Sequence, residues 1–425
     1  MPFRFIHTAD LHLDSPLKTL AARDGELADL LAEAGRKAFE RIVLTCLEQR
    51  VDALFISGDL YDNDQTSMKT ARFLVSCLAD LEESGTKVFI IRGNHDAESR
   101  ITRELTFPDH VHVFKSGRAF KTFQPEGLPC PVAVFGAGFD KPHVPESLLP
   151  KYPAPPPGAY TVGLLHTSLN GDPAHDPYAP CTEQDLFAKG YDYWALGHIH
   201  KRFVRRSDSC AVVMPGIPQG RDIGEAGEKS VTFGVVDDNR VTMLSEVPVH
   251  VAEFRKVDVA LTGLTSWREV LTAVRDAAEG LRETCRAEHL IVRPVLTGET
   301  PLAWTLRRDA DERLPADIAQ TLERLGRVHL DKVVLECALP GATTVASADT
   351  LMELRALIGQ SVLESKRFGD EAAELFAALT GALPTELRDR FGRTEKEVRD
   401  IRTRWIAEGV ENVLAQLAAP GGRED

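Results

Sequence analysis

ALFISGDLYD, residues 53–62, opens with an apolar, strand-like run, breaks at Ser57 and Gly58, and delivers a carboxylate, Asp59, just beyond the break. Four other runs end the same way. FRFIHTADLH (3–12) delivers Asp10 and His12, KVFIIRGNHD (87–96) delivers Asn94 and His95, TVGLLH (161–166) delivers His166, and YDYWALGHIH (191–200) delivers His198 and His200. The helical stretches 25–50 and 67–84 separate the first three runs. Strand and helix in alternation predict an α/β fold: a sheet with parallel pairs, helices on its faces, and ligands in the loops beyond the strands' carboxyl ends.

Every side chain so delivered is an oxygen or nitrogen donor. Gathered at the edge of a core, carboxylates and imidazoles repel, lose solvation and shift each other's pKa unless a cation neutralises them. A dinuclear centre removes that penalty. Carboxylate, amide and imidazole donors suit borderline or hard divalent ions such as manganese, iron or zinc, whereas a cysteine-built site would need thiolates. The seven cysteines (46, 77, 130, 181, 210, 285 and 337) form no C-x-x-C pair, and their odd number fits reduced thiols in a reducing compartment.

At 425 residues and 43% hydrophobic content, two or three domains with ample cores are expected. No stretch approaches the length of a transmembrane helix, and MPFRFIHTAD carries charge where a signal peptide needs an apolar run, so a soluble, cytoplasmic protein away from membranes is expected. A net charge of −14 argues against indiscriminate DNA binding over the whole surface. A nucleic-acid role therefore needs a local basic patch. HKRFVRRSD supplies one, with Lys201, Arg202, Arg205 and Arg206 directly after the last histidines, where a phosphate backbone would pass; the bland reading is a solvated strand edge. A second basic stretch, from Arg388 through Arg390, Arg393 and Lys396 to Arg399, Arg402 and Arg404, has mixed charge at helical spacing, which reads first as a soluble helix face and second as a partner-binding helix.

After residue 100 the texture turns to β (VHVFK, AFKTF, VAVFGAG and, past KYPAPPPGAY, TVGLLHTSL), and a run from AVVMPG to VTMLSEVPV closes a first domain. The expected domains are 1–248, 249–340 and 341–425. The second reads strand, helix, strand, helix (about 307–325), strand, a small α/β cap. The third is helical, with Pro384 marking a break.

D-x-H, G-D, G-N-H-D, an isolated histidine after an apolar strand, and G-H-x-H form a five-part pattern. In it the chain resembles the calcineurin-like metallophosphoesterases over roughly residues 1–245. FIHTADLHLDSPL, GDLYDNDQTS, RGNHDAESR and LGHIHKR look like the SbcD-type nuclease subunits that work with an SMC-type ATPase, and most like YhaO-type bacterial exonucleases. The resemblance implies a metallophosphoesterase β-sandwich flanked by helices. It assigns one metal to Asp10, His12, Asp59 and His200 and the other to Asp59, Asn94, His166 and His198, with Asp59 bridging and His95 as the catalytic histidine. It further implies an enzyme: a DNA exonuclease of a repair complex, with endonuclease activity as a further capacity, using two divalent ions, manganese foremost and iron or zinc as alternatives. The partner would be an SbcC-like, SMC-type coiled-coil ATPase docked on the C-terminal helices, since the chain has no G-x-x-x-x-G-K-[ST] loop.

Two departures stand out. Asp62 occupies a position where archaeal and eukaryotic repair nucleases of this class carry histidine, and His12-Leu13-Asp14-Ser15-Pro16 replaces the usual H-L-G, reshaping the substrate entrance. Asp96 and Arg92 are expected to orient the residues between them, His7 to face the core, and His110, His112, His143, His175, His250, His289 and His329 to be structural or on the surface. A homodimer through the helices of about 67–84 and 101–105 is a further expectation. The rival readings are a small-molecule or cyclic-nucleotide phosphodiesterase, which the acidic surface favours, and a non-catalytic DNA-end scaffold.

Overall fold

The computed structural model describes residues 2–62, 67–97, 106–116, 119–126, 128–171, 178–340, 348–383, 388, 391–392 and 394–418. His175, Pro384, Arg390, Arg393 and the 101–105 stretch lie outside the described residues. The chain divides into two compact units, one of residues 1–255 with 285–291, the other of residues 256–284 with 292–425.

Twelve strands of the first unit follow in chain order: β1 (Phe3–Thr8), β2 (Ala53–Ser57), β3 (Lys87–Ile91), β4 (Val111–Phe114), β5 (Ala119–Phe123), β6 (Val132–Gly136), β7 (Tyr160–His166), β8 (Tyr193–Gly197), β9 (Phe203–Arg206), β10 (Ala211–Met214), β11 (Ser230–Asp237) and β12 (Arg240–Pro248). They form two six-stranded sheets, ordered β12-β11-β1-β2-β3-β4 and β5-β6-β7-β8-β10-β9. The inner strands of each sheet are parallel, while β11, β12, β5 and β9 join antiparallel.

Alternation along the strands explains the layers, because successive side chains of a strand point to opposite faces. Phe3, Phe5, Ala53, Phe55, Phe89 and Ile91 turn inward to meet Val132, Val134, Val162, Leu164, Tyr193 and Val213 of the second sheet, the core of a β-sandwich. Ile6, Leu54, Ile56, Val88 and Ile90 turn outward, beneath Phe39, Ile42 and Val43 of the helix Gly25–Gln49 and Leu74 and Leu78 of the helix Met68–Ala79. The second sheet's outer face carries Phe135, Leu165, Trp194, Leu196 and Met214, covered by Leu149, Tyr152 and Leu186. The architecture is therefore the metallophosphoesterase-type sandwich flanked by helices.

The second unit carries most of a four-stranded sheet made of β13 (Ala252–Ala260), β14 (His289–Glu299), β15 (Val328–Leu330) and β16 (Val334–Ala338), with β14 paired to the other three. The helix Trp267–Thr284 buries Val270, Val274 and Ala278, one stripe at helical spacing. The single helix expected over 307–325 is two helices, Ala303–Arg308 and Arg313–Glu323. Pro315 is the reason: without an N–H it fits the first turn of a helix and breaks an interior.

C-terminal helices follow at Ala348–Leu357, Lys366–Gly381 and Glu395–Leu417, the last opened by a reciprocal cap between Thr394 and Glu397. Leu414 and Ala415 pack on Trp304. Among the described residues no helix is long and apolar enough to cross a membrane, and all seven cysteines are buried.

Candidate metal centre

Sheet register brings the loops together. Ser57 of β2 lies opposite Ile91 of β3, and His166 of β7 opposite Gly197 of β8, so the strands end level and their loops leave side by side. Backbone pairing continues past the strands: Asp10 N–H donates to the Gly58 carbonyl (2.9 Å) and His12 N–H to that of Asp59 (3.0 Å). The crowding demands unusual backbone. Asp10, His12 and Asp59 hold φ of 54°, 43° and 53°, and His198 holds 102°; such left-handed conformations cost a non-glycine residue on the order of 1 kcal/mol each. Two glycines are required by close approach. A Cβ at Gly93 would lie 2.1 Å from Asp59 Oδ1, and one at Gly197 only 2.0 Å from the Ser57 carbonyl oxygen.

All eight expected residues converge on this edge. Asp10, His12 and His200 present donor atoms within 4.8 Å of one another, as do Asp10, Asp59 and His166, and also His12, Asp62 and His95. Asp59 Oδ2 stands between two imidazoles, 3.3 Å from His166 Nε2 and 3.8 Å from His12 Nε2. Asn94 Oδ1 lies 2.9 Å from His166 Nε2. His198 places its ring 5.2 Å from that of His166 and donates its backbone N–H to the Asp10 carboxylate (3.0 and 3.1 Å). His95 donates its backbone N–H to Asp59 Oδ1 (3.0 Å), keeps a part-exposed ring, and sets Nδ1 3.0 Å from Asp62 Oδ1.

Hydrogen bonds behind the imidazoles decide what the front can do. His166 donates Nδ1–H to the Ser57 carbonyl (2.9 Å), so its Nε2 faces only acceptors, Asn94 Oδ1 and Asp59 Oδ2. His12 sets Nδ1 against Asp62 (2.6 Å) and His200 sets Nδ1 against Glu225 (2.7 Å), yet their Nε2 atoms lie 3.2 Å apart. With each Nδ1–H spent on a carboxylate, two bare lone pairs confront each other. That is unfavourable unless a cation lies between them. The donor set therefore fits divalent metal ions, which members of calcineurin-like phosphoesterases bind, and which prefer carboxylate, amide and imidazole donors of this kind.

Charge balance agrees. Burial pushes the Asp59 carboxyl up, but the His166 charge and hydrogen bond outweigh it and hold Asp59 well below the usual carboxylate range. Burial pushes His166 down, and Asp59 and Asp10 overcome it, raising His166 to about 9. These carboxylates thus favour positive charge at this point, which a divalent ion would supply in place of the His166 proton. Burial, aided by the His166 charge, drops His198 to about 3, a neutral imidazole. Asp96, raised to about 6 by burial and by Asp59, accepts the backbone N–H groups of Leu60 (3.0 Å), Tyr61 (3.0 Å) and Gly93 (3.2 Å), and so joins the two loops that carry Asp59 and Asn94.

The neighbouring residues sort themselves by contact. His7 lies beneath the site, donating Nε2–H to the Leu196 carbonyl and accepting from Tyr193 Oη, both at 3.0 Å. Asp14 binds Arg36 (2.7 Å) and Thr70, which ties its loop to two helices. In the basic patch, Arg202 pairs with Glu246 (3.1 Å) and Arg205 with Glu183 (3.3 Å), while Lys201 and Arg206 are exposed on or beside the edge strand β9. Glu225 and Arg221 escaped the sequence reading. Their signal, an Arg–Glu pair four apart in GRDIGE, resembles any surface ion pair and says nothing about His200.

With this geometry in view, the comparisons with known proteins are consistent with each other. The model of calcineurin-like phosphoesterases matches residues 3–202, and that of the metallophosphoesterase YhaO middle domain matches residues 254–338. The metallophosphoesterase YhaO of Bacillus subtilis is 32% identical over 303 residues, 71% of this chain and 73% of the relative. The DNA double-strand break repair protein Mre11 of Methanocaldococcus jannaschii is 24% identical over 271 residues, 60% of this chain and 69% of the relative. A component of the nuclease SbcCD of Rhodobacter capsulatus is 31% identical over 100 residues, 23% of this chain and 22% of the relative. From its sandwich, its donor-lined edge and its likeness to YhaO over most of both chains, this chain belongs to the calcineurin-like metallophosphoesterase family, hydrolases of phosphoester bonds.

Proposed function

We propose that the chain is a metal-dependent DNA exonuclease, with endonuclease activity as a further capacity, working in the cytoplasm as the catalytic subunit of a repair complex with an SMC-type coiled-coil ATPase. The observation that carries the reading is the pair of donor groups that share Asp10, one with His12 and His200 and the other with Asp59 and His166, flanked by a part-exposed histidine, His95. Asp10, His12, Asp59 and His200 would hold one divalent ion, and Asp59, Asn94, His166 and His198 the other, manganese foremost with iron or zinc as alternatives. The ions would supply Lewis acidity and neutralise charge on a phosphodiester in the transition state. Asp62, 3.0 Å from His95 Nδ1, would favour the protonated ring, from which His95 would donate a proton to the leaving oxygen. Ser57 fixes the tautomer of His166, and Asp96 holds the loops in place.

DNA as the substrate is supported by the names of the relatives, a DNA double-strand break repair protein and a nuclease component, and by exposed Lys201 directly after His200, whereas Arg206 lies level with Tyr193, at the end of β8 away from His198. Arg202 and Arg205, already facing glutamates, contribute less to phosphate binding than sequence alone implied. The ATPase would dock on the C-terminal helices, where Leu357, Leu375, Leu379, Trp405, Val413 and Leu417 expose apolar surface.

A nuclease assay on duplexes labelled at the 5′ or 3′ end, with manganese, tests the reading. Wild type should shorten both strands or one. His95→Ala should lose roughly 10²-fold or more of the rate, the usual worth of a general acid, while both metals stay bound. Normal cleavage by His95→Ala would overturn the role of His95. Hydrolysis of cyclic dinucleotides or bis-p-nitrophenyl phosphate without attack on oligonucleotides would overturn DNA as the substrate.

A further inference from the structure

Two of the imidazoles at the centre are held from behind by carboxylates on different loops, and a single guanidinium joins those carboxylates. Asp62, in the loop after β2, lies 2.6 Å from His12 Nδ1; Glu225, in the short turn Ile223–Glu225, lies 2.7 Å from His200 Nδ1. Between them, Arg221 places Nη1 3.6 Å from Asp62 Oδ2 and Nη2 3.0 Å from Glu225 Oε1, and its backbone N–H donates to Glu225 Oε2 at 2.8 Å. Its side chain is only 25% exposed, so these contacts are made largely out of water.

The root of the Arg221 loop is fixed as well. Gln219, buried two residues earlier, accepts the backbone N–H groups of Val251 (2.8 Å) and Ala252 (3.1 Å) and donates to the Ala252 carbonyl (2.8 Å). A planar guanidinium with five N–H donors in a rigid fork can satisfy two carboxylates at once, which a flexible ammonium does with less directional control. Without it, Asp62 and Glu225 would be two like charges facing one small volume, free to swing apart and carry their imidazoles with them.

We propose that Arg221 is a positioning residue that ties Asp62 to Glu225, keeps the Nε2 atoms of His12 and His200 aimed at a common point, and thereby sets the affinity of that half of the centre for a divalent cation. The inference rests on the metal-centre reading above. It assigns Arg221 no contact with substrate, and so places its effect on metal binding before any effect on the reaction.

The test uses the full chain, stripped of metal and titrated with manganese chloride, followed by calorimetry and by electron paramagnetic resonance in the absence of DNA. Arg221→Ala should weaken one of two binding steps by roughly 10- to 100-fold, the usual effect of losing a group behind a metal ligand, while the other step keeps its wild-type affinity. At limiting manganese the spectrum should shift from coupled to isolated ions. Glu225→Gln, which keeps an acceptor for His200 but loses the ion pair with Arg221, should weaken the same step and serves if Arg221→Ala fails to fold. The double variant should lose no more than the larger single loss, since both act through one unit. Wild-type affinity for both ions in Arg221→Ala, or a raised KM with unchanged metal binding, would overturn the proposal. If wild type binds two ions and cleaves no DNA, the nuclease reading falls and the role of Arg221 stands; if wild type binds no ion, both fall.

Discussion

Gly197→Ala tests how closely the two sheets must approach for the centre to exist. Gly197 ends β8, and a methyl group there would lie 2.0 Å from the Ser57 carbonyl oxygen of the facing sheet and 2.9 Å from His166 Nδ1. Ordinary contact begins at 3.4 Å, so the carbonyl must retreat by about 1.4 Å, the difference between 3.4 and 2.0. That carbonyl accepts the Nδ1–H of His166 at 2.9 Å, and the retreat breaks the bond. Nearby, Ser57 Oγ donates to the Ala195 carbonyl at 2.8 Å, which resists the movement.

Overpacking of this kind costs about 1–3 kcal/mol and the lost hydrogen bond about 1 kcal/mol more. At about 2–4 °C per kcal/mol for a unit of this size, melting of the metal-free variant should fall by roughly 5–15 °C. Displacement of His166 by about 1 Å should also lower phosphodiester hydrolysis on the order of 100-fold. Gly280→Ala is the control: it lies on the exposed face of the helix Trp267–Thr284 with no atom near its added Cβ, and should gain roughly 0.5–1 kcal/mol. Differential scanning calorimetry and manganese titration read both effects. A Gly197→Ala protein that melts within 1 °C of wild type, to use about the precision of the scan, and binds metal as well would refute the reasoning.

Asp96→Ala leaves three buried backbone donors without their acceptor and should cost at least about 3 kcal/mol in urea unfolding; a loss under about 1 kcal/mol would mean that the loops do not depend on it. Burial raises Glu253, but hydrogen bonds from His250 and Arg255 outweigh it and hold its carboxyl at about 2. A depressed carboxyl contributes stability that is fully present above its ordinary value of 4.5 and is lost as pH falls toward 2; by linkage this is worth up to roughly 3 kcal/mol. Glu253→Gln should therefore flatten the acid limb of a stability–pH curve between those values, and a curve parallel to wild type would count against it. Trp304→Ala removes a buried ring from Leu414 and Ala415, at about 3–5 kcal/mol. Limited proteolysis should then cut first within Glu395–Leu417, and cleavage elsewhere first would show that Trp304 does not anchor that helix.

The sheet and its helices were legible in the order of apolar runs and helical stretches, while the sandwich followed from the family resemblance: Phe3, Phe5 and Phe55 face one core and Ile6, Leu54 and Ile56 another, and a run such as ALFIS, apolar throughout, does not say what covers each face. The donors were legible because each follows such a run. What lay behind them was not. Asp62 and His12 are 50 positions apart, Glu225 and His200 are 25 apart, and nothing in either neighbourhood records that they meet. Asp14 shows the same limit: nothing near it in the chain records its bonds to Arg36 and Thr70, 22 and 56 positions away. The helix expected over 307–325 failed for a local reason, Pro315, that periodicity alone passes over.

The left-handed backbone at Asp10, His12, Asp59 and His198 works against folding, as do the buried carboxylates beside it, and the two apolar cores must offset both. A cation that binds only the folded chain would add RT ln(1 + [M]/Kd), about 2.7 kcal/mol at a hundredfold excess over Kd. Turnover would then follow supply. Where divalent metal is scarce, more of the chain would visit open forms that proteases recognise, and its cellular abundance would track the metal pool before a single phosphodiester is cut.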